Sequence, residues 1–581
     1  MDLSNQPLPG GLPSEIWHHI LSMLDSPSLK AVVLCSSRVY KIAASILFRT
    51  IYLESEVEFP SQQLPWKKCI HPTHMCAHVE NIVVVRSRGV SPCQFDFCNE
   101  FVDFLSYLFR VADSLRHFHW WHERYMPGEI LHQLYQYCPQ ASVHIASSKV
   151  ALCEKINKEH SSAPQLSSIR SIEAEWYAGE YDRPIRPGSA ANYPAELKDI
   201  IYRSHNLESL TLISKENWRP RRSGQIRFGE ISPHLERREL EAQKNQRGLI
   251  TLEEGNHLPQ VKNIHFESMR FGPLQSTLWA TQLQWQTIKH LSLITVDWIH
   301  LLPKITLPGC FHMLETLEMS IPNLRSQYKR ECLAYIERVE QFHSFLKELP
   351  PLKMFIGYGF PQKTLEVLAK YHAKSLHHLR FRYELISDLG RAKRSENKRT
   401  PSVSIHDLVN LANQLPNLLS LGINLSWTPD EELPYDILAS IVQHTHLRHL
   451  ELNIPKLHHD SPSWPYPNFN ESTCRALVEF FDQASLNLLS FHFVIGDWFP
   501  FRLPPVLKWY MEAFLVGERD YTGHMRFSNV RNYLQHGKLM RSGTFVPRVP
   551  LHQLKGHWPV DLRQDIEGRI GDHFGGKMMR K

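Results

Sequence analysis

The sequence predicts an α/β chain: a short, all-helical N-terminal module followed by an irregular α/β solenoid. Three observations carry this. The first fifty residues hold three short helical stretches with more apolar surface than a small bundle can use. From Val79 onward an apolar-x-x-apolar-x-apolar pattern returns, its closest copies 24 to 29 residues apart. Helical segments fall between the copies. Strand, connector and helix at such a period mark a stacked array whose units cannot bury their own apolar faces.

Length and composition set the bounds. The 581 residues suffice for several domains or one long array, and 42% hydrophobic with 21% charged residues is globular composition. No apolar run is long enough to cross a bilayer. Met1 to Gln6 lacks the basic and apolar regions of a secretory signal, so a cytoplasmic and/or nuclear location is expected, with no membrane partner. A net charge of +6 is slight for this length and does not by itself imply nucleic acid. The ten cysteines include no Cys-x-x-Cys pair and are expected to be reduced.

In the N-terminal module, Ile16, Trp17, Ile20, Leu21, Met23 and Leu24 recur at helical spacing. At about 100° per residue they cover an arc of roughly 160°, wider than a small bundle needs. Pro13 suits the first turn, Ser26-Pro27 starts a second helix, and Ser37 can cap a third carrying Val39, Ile42, Ala43 and Ile46 on one face. A module of about 40 residues holds little core of its own, so docking on a partner would supply missing burial.

Leu12-Pro13-Ser14-Glu15-Ile16, Ile20-Leu21-x-x-Leu24, Asp25-x-Pro27-x-Leu29, Leu34-Cys35 and Leu47-Phe48-Arg49 fall in one order and spacing, over residues 8–53. This stretch resembles the F-box. The resemblance implies docking on a Skp-type adaptor, and through it on a cullin–RING ubiquitin ligase. It places adaptor contacts at Leu12, Pro13, Ile16, Ile20, Leu21, Leu24, Leu29, Leu34, Cys35 and Phe48. The sequence departs from the family at Phe48, where Trp is frequent, and at Cys35-Ser36-Ser37-Arg38, where Cys-Arg-Arg-Trp is frequent.

Residues 54–78 read as a connector, with Pro60, Pro65 and Pro72 resisting helix. It holds Cys69, His71, His74, Cys76 and His78, which are zinc-ligand types. Their spacing matches no zinc module, so the favoured reading is a loop, and no metal or other cofactor is assigned.

The array spans residues 79–496. Its copies are Val79/Ile82/Val84, Leu115/Phe118/Trp120, Ile169/Ile172/Ala174, Leu207/Leu210/Leu212, Val261/Ile264/Phe266, Ile288/Leu291/Leu293 and Leu314/Leu317/Met319. They continue with Leu352/Phe355 (broken by Gly357), Leu376/Leu379/Phe381, Leu418/Leu421/Ile423, Leu447/Leu450/Leu452 and Leu488/Phe491/Phe493. Helices are expected at Phe101–Leu108, Ala195–Tyr202, Val339–Leu349, Thr364–Tyr371, Asp407–Gln414, Asp436–Gln443 and Arg475–Phe481. The pattern resembles degenerate leucine-rich repeats. That family's Asn or Cys after the strand is missing, with Lys215, Met269, Val296, Pro322, Ser426 and Pro455 in its place, which predicts irregular turns. Insertions at 214–257 and 385–402 carry basic clusters and read as solvated loops of mixed charge. Residues 497–581 read as a C-terminal cap and tail, with Leu507 to Leu515 a candidate capping helix.

No catalytic signature occurs: no Gly-x-Ser-x-Gly, no His-Glu-x-x-His, no Walker loop. A non-catalytic role is expected. The informative surface is the sheet face turned away from the apolar rows, expected to be concave and solvent-facing. Read by alternation it carries His117, His119, Trp121, Glu173, Glu175, Asn263, His265, Glu267, His290, Thr316 and Glu318. It goes on through His378, Arg380, Arg382, Asn424, His449, Glu451, Asn453 and His492. Polar and aromatic groups on a rigid sheet suit a protein target. The expected function is the substrate-recognition subunit of an SCF-type E3 ubiquitin ligase. The alternatives are a non-catalytic F-box scaffold whose partners acquire no ubiquitin and, below it, nucleic-acid binding through the basic insertions.

Overall fold

The structure is a computed structural model. It describes residues 12–24, 26–33, 37–54, 76–85, 99–121, 126–147, 166–177, 193–215, 252, 254–267, 269, 271–294, 296, 298–307, 309–321, 329–382, 403–425, 435–454, 471–495, 513–519 and 525–529. The chain divides into two compact units, one of residues 1–147, 152–169 and 545–581, the other of residues 148–151 and 170–544.

The first unit opens with α1 (Ser14–Ser22), α2 (Ser26–Val33) and α3 (Ser37–Leu47). Leu21, Leu29, Val39 and Ala43 form their common core, with Trp17, Leu24, Val32, Ile42, Ile46 and Leu47 packed around it. The chain then runs directly into β1 (Thr50–Glu54), so the helical module ends in a strand that the sequence reading did not expect. A 3-10 turn (Cys76–His78) leads to β2 (Asn81–Val85), followed by α4 (Asn99–Val111), β3 (His117–Trp121), α5 (Gly128–Tyr137) and β4 (Ser142–Ser147). β1 to β4 are parallel, with Thr50 opposite Asn81, Asn81 opposite His117 and His117 opposite Ser142.

The second unit repeats the theme. Its elements are β5 (Ile169–Tyr177, in this unit from Arg170), α6 (Tyr193–Arg203), β6 (Ser209–Lys215), β7 (Asn263–Glu267), α7 (Pro273–Gln282), β8 (His290–Ile294), α8 (Leu302–Ile305) and β9 (Thr316–Ser320). Then come α9 (Lys329–Glu348), β10 (Met354–Tyr358), α10 (Lys363–His372), β11 (His378–Arg382), α11 (Ile405–Gln414), β12 (Ser420–Asn424), α12 (Tyr435–Val442), β13 (His449–Ile454), α13 (Glu471–Gln483), β14 (Ser490–Ile495), β15 (Ala513–Arg519) and β16 (Met525–Asn529). Neighbours pair in chain order, parallel from β5 to β14. β15 and β16 turn antiparallel. This α/β repeat arrangement is compatible with leucine-rich-repeat-like units.

One backbone device recurs where strands begin. The carbonyl just before a strand accepts from two successive N–H groups of the next unit: Glu80 and Asn81 on Arg49, Lys262 and Asn263 on Glu208, Lys289 and His290 on Lys262, Arg448 and His449 on Leu419. The units are therefore structurally equivalent even where their sequences diverge. The apolar rows face the helices. Phe109 of α4 meets Phe118 of β3 edge-on at 5.4 Å, Trp279 of α7 meets Phe266 of β7 at 5.0 Å, and Phe481 of α13 meets Phe491 of β14 at 6.2 Å. Burying such side chains contributes roughly 1.5–3 kcal/mol each.

At two of the positions that lack the Asn, Met269 and Val296 are buried and fill the turn with apolar bulk. Elsewhere, helix and turn side chains bond to backbone groups. Cys138 donates to the carbonyl of Phe109 (3.1 Å), and Trp298 Nε1 to that of Ser320 (3.1 Å). His372 accepts from the N–H of Leu352 at Nδ1 (3.3 Å), so its Nε2–H donates to the carbonyl of Leu346 (3.0 Å). Burial holds the Cys138 thiol up at about 11, with Asp113 adding to it, so it remains an S–H donor.

Three expectations are corrected. The candidate capping helix from Leu507 to Leu515 ends in strand: Ala513, Phe514 and Leu515 pair with Ile495, Val494 and Phe493, closing the β14 edge with a hairpin. Besides β1, β15 and β16, four elements were not individually placed by the sequence: β4, whose apolar positions fit no copy of the pattern, and α5, α7 and the short α8. Gly357, which breaks the pattern, lies inside a regular strand. Its missing side chain is filled by rings, since a Cβ there would lie 2.6 Å from Phe355 Cε1 and 3.2 Å from Phe360 Cδ2. Gly357→Leu restores the repeat pattern yet overpacks the core. It is expected to destabilise by about 1–3 kcal/mol in a urea titration.

Candidate functional site

Two surfaces carry the expected site residues. The first is the helical module. Around α1 the apolar arc splits into two stripes. Trp17, Leu21 and Leu24 turn inward to the core, while Ile16, Ile20 and Met23 lie beside them on the outer side. Ile16 is 46% exposed, Met23 68%, and Leu12 ahead of the helix 39%, so the surplus is uncovered. Pro13 occupies the N-cap and is exposed, its carbonyl accepting from Trp17 N–H at 3.1 Å. Leu21 and Leu29 are buried in the module's own core, Leu24 and Phe48 are half-buried, and Leu34 and Cys35 lie outside the described residues. The exposed apolar face is therefore built by Leu12, Ile16 and Met23 with Ile20 at its margin. Met23 was not among the expected contacts, although the helical spacing contained it.

The second surface is the sheet face opposite the helices. Strand register lines its residues into rows. The middle row of the second unit runs Glu173, Thr211, His265, Ser292, Glu318, Ile356, Arg380, Gly422, Glu451, His492. Much of this row is not open to solvent, contrary to expectation: Glu173, Thr211, His265, Ser292 and Glu451 are buried. The cause is mutual satisfaction across strands. Ser292 Oγ sits 2.7 Å from His265 Nδ1 and donates to Glu318 Oε2 at 2.7 Å, and Tyr358 OH donates to Glu318 Oε1 at 3.2 Å. His449 Nδ1 reaches Ser490 Oγ at 2.8 Å, and Asn453 Nδ2 donates to Asn424 Oδ1 at 2.9 Å.

Arg380 reaches over β12 to pair with Glu451 on β13. Gly422 lies between them, and a Cβ there would come within 3.0 Å of Arg380 Cγ. Burial alone would lower the guanidinium, but Glu451, Tyr358 and Glu318 outweigh it and hold Arg380 above its ordinary value. His378, in the adjacent row, is lowered by burial and then by His449 and His377. His290 is lowered mainly by burial. Arg382 and Glu175 lie on strands whose side chains are outside the described residues there.

In the first unit the face carries an imidazole cluster. His117 Nδ1 and His144 Nε2 are 3.2 Å apart, His119 stacks on His144 at 4.5 Å, and Trp121 meets His119 edge-on at 5.4 Å. His144 belongs to β4 and was missed with it; the Val143/Ile145 alternation was the available signal. His119 is pushed down to about 3 by burial, reinforced by His144 and His117. Among the described residues no group of His, Cys, Asp and Glu could hold a metal ion, and Cys69, His71 and His74 lie outside them. Cys76 is buried, which raises its thiol. No helix of the described residues is long and apolar enough to cross a membrane. Of the two basic insertions, only residues 214, 215, 252 and 254–257 are described.

A three-helix knob with an uncovered apolar face is thus followed by α/β repeats with a polar sheet face. Residues 10–50 match the F-box domain. The chain therefore carries an F-box domain, and F-box domains generally bind Skp-type adaptors. A comparison with the curated proteins finds no match.

Two outcomes test this geometry. Arg380→Ala leaves Glu451 without its cross-strand cation in a largely buried position. It is expected to cost about 3–5 kcal/mol by chemical unfolding, with Arg380→Met/Glu451→Leu recovering most of the loss. The buried imidazoles set a pH dependence. His119 is held at about 3, and burial holds His343 and His444 at about 4. Unfolding returns each towards 6.5, so the unfolded chain binds more protons between these values. Their contribution is full above pH about 6.5 and falls as pH drops towards 4. The urea midpoint should drop between pH 7 and pH 5, and the drop should be smaller in His343→Gln.

Proposed function

We propose that this chain is the substrate-recognition subunit of an SCF-type cullin–RING ubiquitin ligase. Its F-box docks on the Skp-type adaptor and its polar sheet face holds a protein target. Catalysis belongs to other subunits, and the chain contributes proximity, raising the effective concentration of target near the transferred ubiquitin. The observation that carries this reading is the uncovered stripe of Leu12, Ile16 and Met23 beside a completed helical core within the F-box match. Covering these side chains supplies roughly 1.5–3 kcal/mol apiece. Target contacts belong to the sheet face: His117, His119 and Trp121 in the first unit, and the exposed margins of the rows around His290, Glu318, His378, Arg380, His449 and His492 in the second.

Ile16→Asp places a charge on the exposed stripe without entering the core, unlike a change at half-buried Leu24. It should reduce adaptor capture more than tenfold while the unfolding midpoint stays within error. Undiminished capture rejects the docking face. Reconstitution of the ligase with a captured partner then separates a substrate receptor from a scaffold: the receptor requires ubiquitin on the partner. Removing residues 1–53 is a poor test, because it strips β1 from the β2 edge.

A further inference from the structure

The residues that stand just before the strands of the second unit form a row of their own. Each donates its N–H to the carbonyl of the one before: Glu208 to Arg170, Lys262 to Glu208, Lys289 to Lys262, Glu315 to Lys289 and Lys353 to Glu315. Along the strand-start rim the order is therefore cation, anion, cation, cation, anion, cation. Glu208 lies 3.8 Å from Arg170 and 3.2 Å from Lys262, and Glu315 lies 3.0 Å from Lys353. Glu315 is held below its ordinary value by the hydrogen bond from Lys353, then by the charges of Lys353 and Lys289. Lys262 and Lys289 stand on adjacent rungs with no acid between them. Two ammonium groups on neighbouring strands, about 4.8 Å apart at the backbone, repel. Both are open to solvent, Lys262 at 49% and Lys289 in part, and Lys353 beyond them is 57% exposed. Farther along, the row gains Arg448 and no further acid. The connectors that lead into β6 to β13 (204–207, 258–261, 283–288, 310–314, 349–352, 373–376, 415–418 and 443–447) hold no Asp or Glu. Nor does the adjoining row of the open face, in register from Ser209 to Ser490. This end of the sheet carries a surplus of exposed positive charge.

Resting on the reading of the repeats as the part that holds a target, we propose that the rim at Lys262 and Lys289 docks a carboxylate-rich segment of that target. A carboxylate seated between the two ammonium groups accepts from both and removes their repulsion. Lysines are point charges on flexible stems, suited to a carboxylate on a peptide, whereas planar guanidinium forks suit bidentate phosphate recognition. Glu208 and Glu315 favour the same occupant. Nucleic acid carries a phosphate at every step and would meet both glutamates, while a peptide can set its carboxylates opposite the lysines alone. From Lys262 to Lys353 is three strand spacings, about 14 Å, which about four residues of extended peptide span.

The test uses the full chain and two fluorescein-labelled peptides rich in glycine and serine, one bearing glutamates and one with glutamine in their place. An oligothymidylate of the same length is the third probe. By fluorescence anisotropy at low salt, the glutamate peptide should bind at least tenfold more tightly than the glutamine peptide, and the preference should shrink at high salt. Lys262→Gln/Lys289→Gln should lose at least fivefold of the glutamate-peptide affinity, and Lys262→Arg/Lys289→Arg should keep it. Lys363→Glu makes the same net charge change at the exposed start of α10, past the end of β10, and should leave the affinity within twofold. Four results overturn the proposal: equal affinity of the wild-type chain for the two peptides, undiminished affinity in Lys262→Gln/Lys289→Gln, an equal loss in Lys363→Glu, or tighter binding of the oligothymidylate. Adaptor capture measured on the same samples separates the two readings. Retained capture without a glutamate preference removes only the acidic-segment site, whereas lost capture by the wild-type chain removes the ligase reading.

Discussion

No unit of this chain can bury its own apolar strand row, and everything else in the structure follows from that. Leu291 and Leu293, or Leu450 and Leu452, are buried only because a helix covers them and neighbouring strands flank them. Parallel pairing is what allows each strand to be followed by a helix that returns to the same end. The repeated double acceptance by one carbonyl at the strand starts keeps the register fixed from unit to unit. With register fixed, every side chain of the opposite face is assigned a row and two lateral neighbours.

That assignment decides the chemistry of the open face. Polar groups brought side by side at strand spacing either satisfy one another or remain exposed. The His265–Ser292–Glu318–Tyr358 chain and the Arg380–Glu451 pair are cases of satisfaction. They turn residues that alternate outward into half-buried, rigid features. Gly422 belongs to this logic as much as the charged groups do, since the absent side chain is the path over which Arg380 crosses β12. The part of the face open to solvent is therefore smaller than the full set of outward positions.

The F-box is joined to the repeats by structure as well as by sequence. Arg49, just past its last helix, ion-pairs with Glu80 at 3.0 Å, and its carbonyl receives the N–H groups of Glu80 and Asn81. β1 then serves as the neighbour of β2. Within the first unit, the helical knob is thus anchored to a strand ladder rather than tethered by a free linker.

The sequence alone determined the apolar rows and much of the alternation of strand and helix, because these rest on local periodicity: 3.6 residues for a helix face, two for a strand, about 26 for the repeat. The F-box was legible from the order and spacing of its motif residues, Leu12 among them, while Ile16 and Ile20 also followed from helical spacing. The tertiary structure decided what periodicity does not encode. It made β1 and β15 strands, since a strand needs a partner edge and not only a pattern. It showed why Gly357 is tolerated, since Phe360, outside the pattern, fills its place. It also decided which outward residues meet, because the partners of Glu318, Ser292 and Tyr358, lie 26 and 40 residues away along the chain.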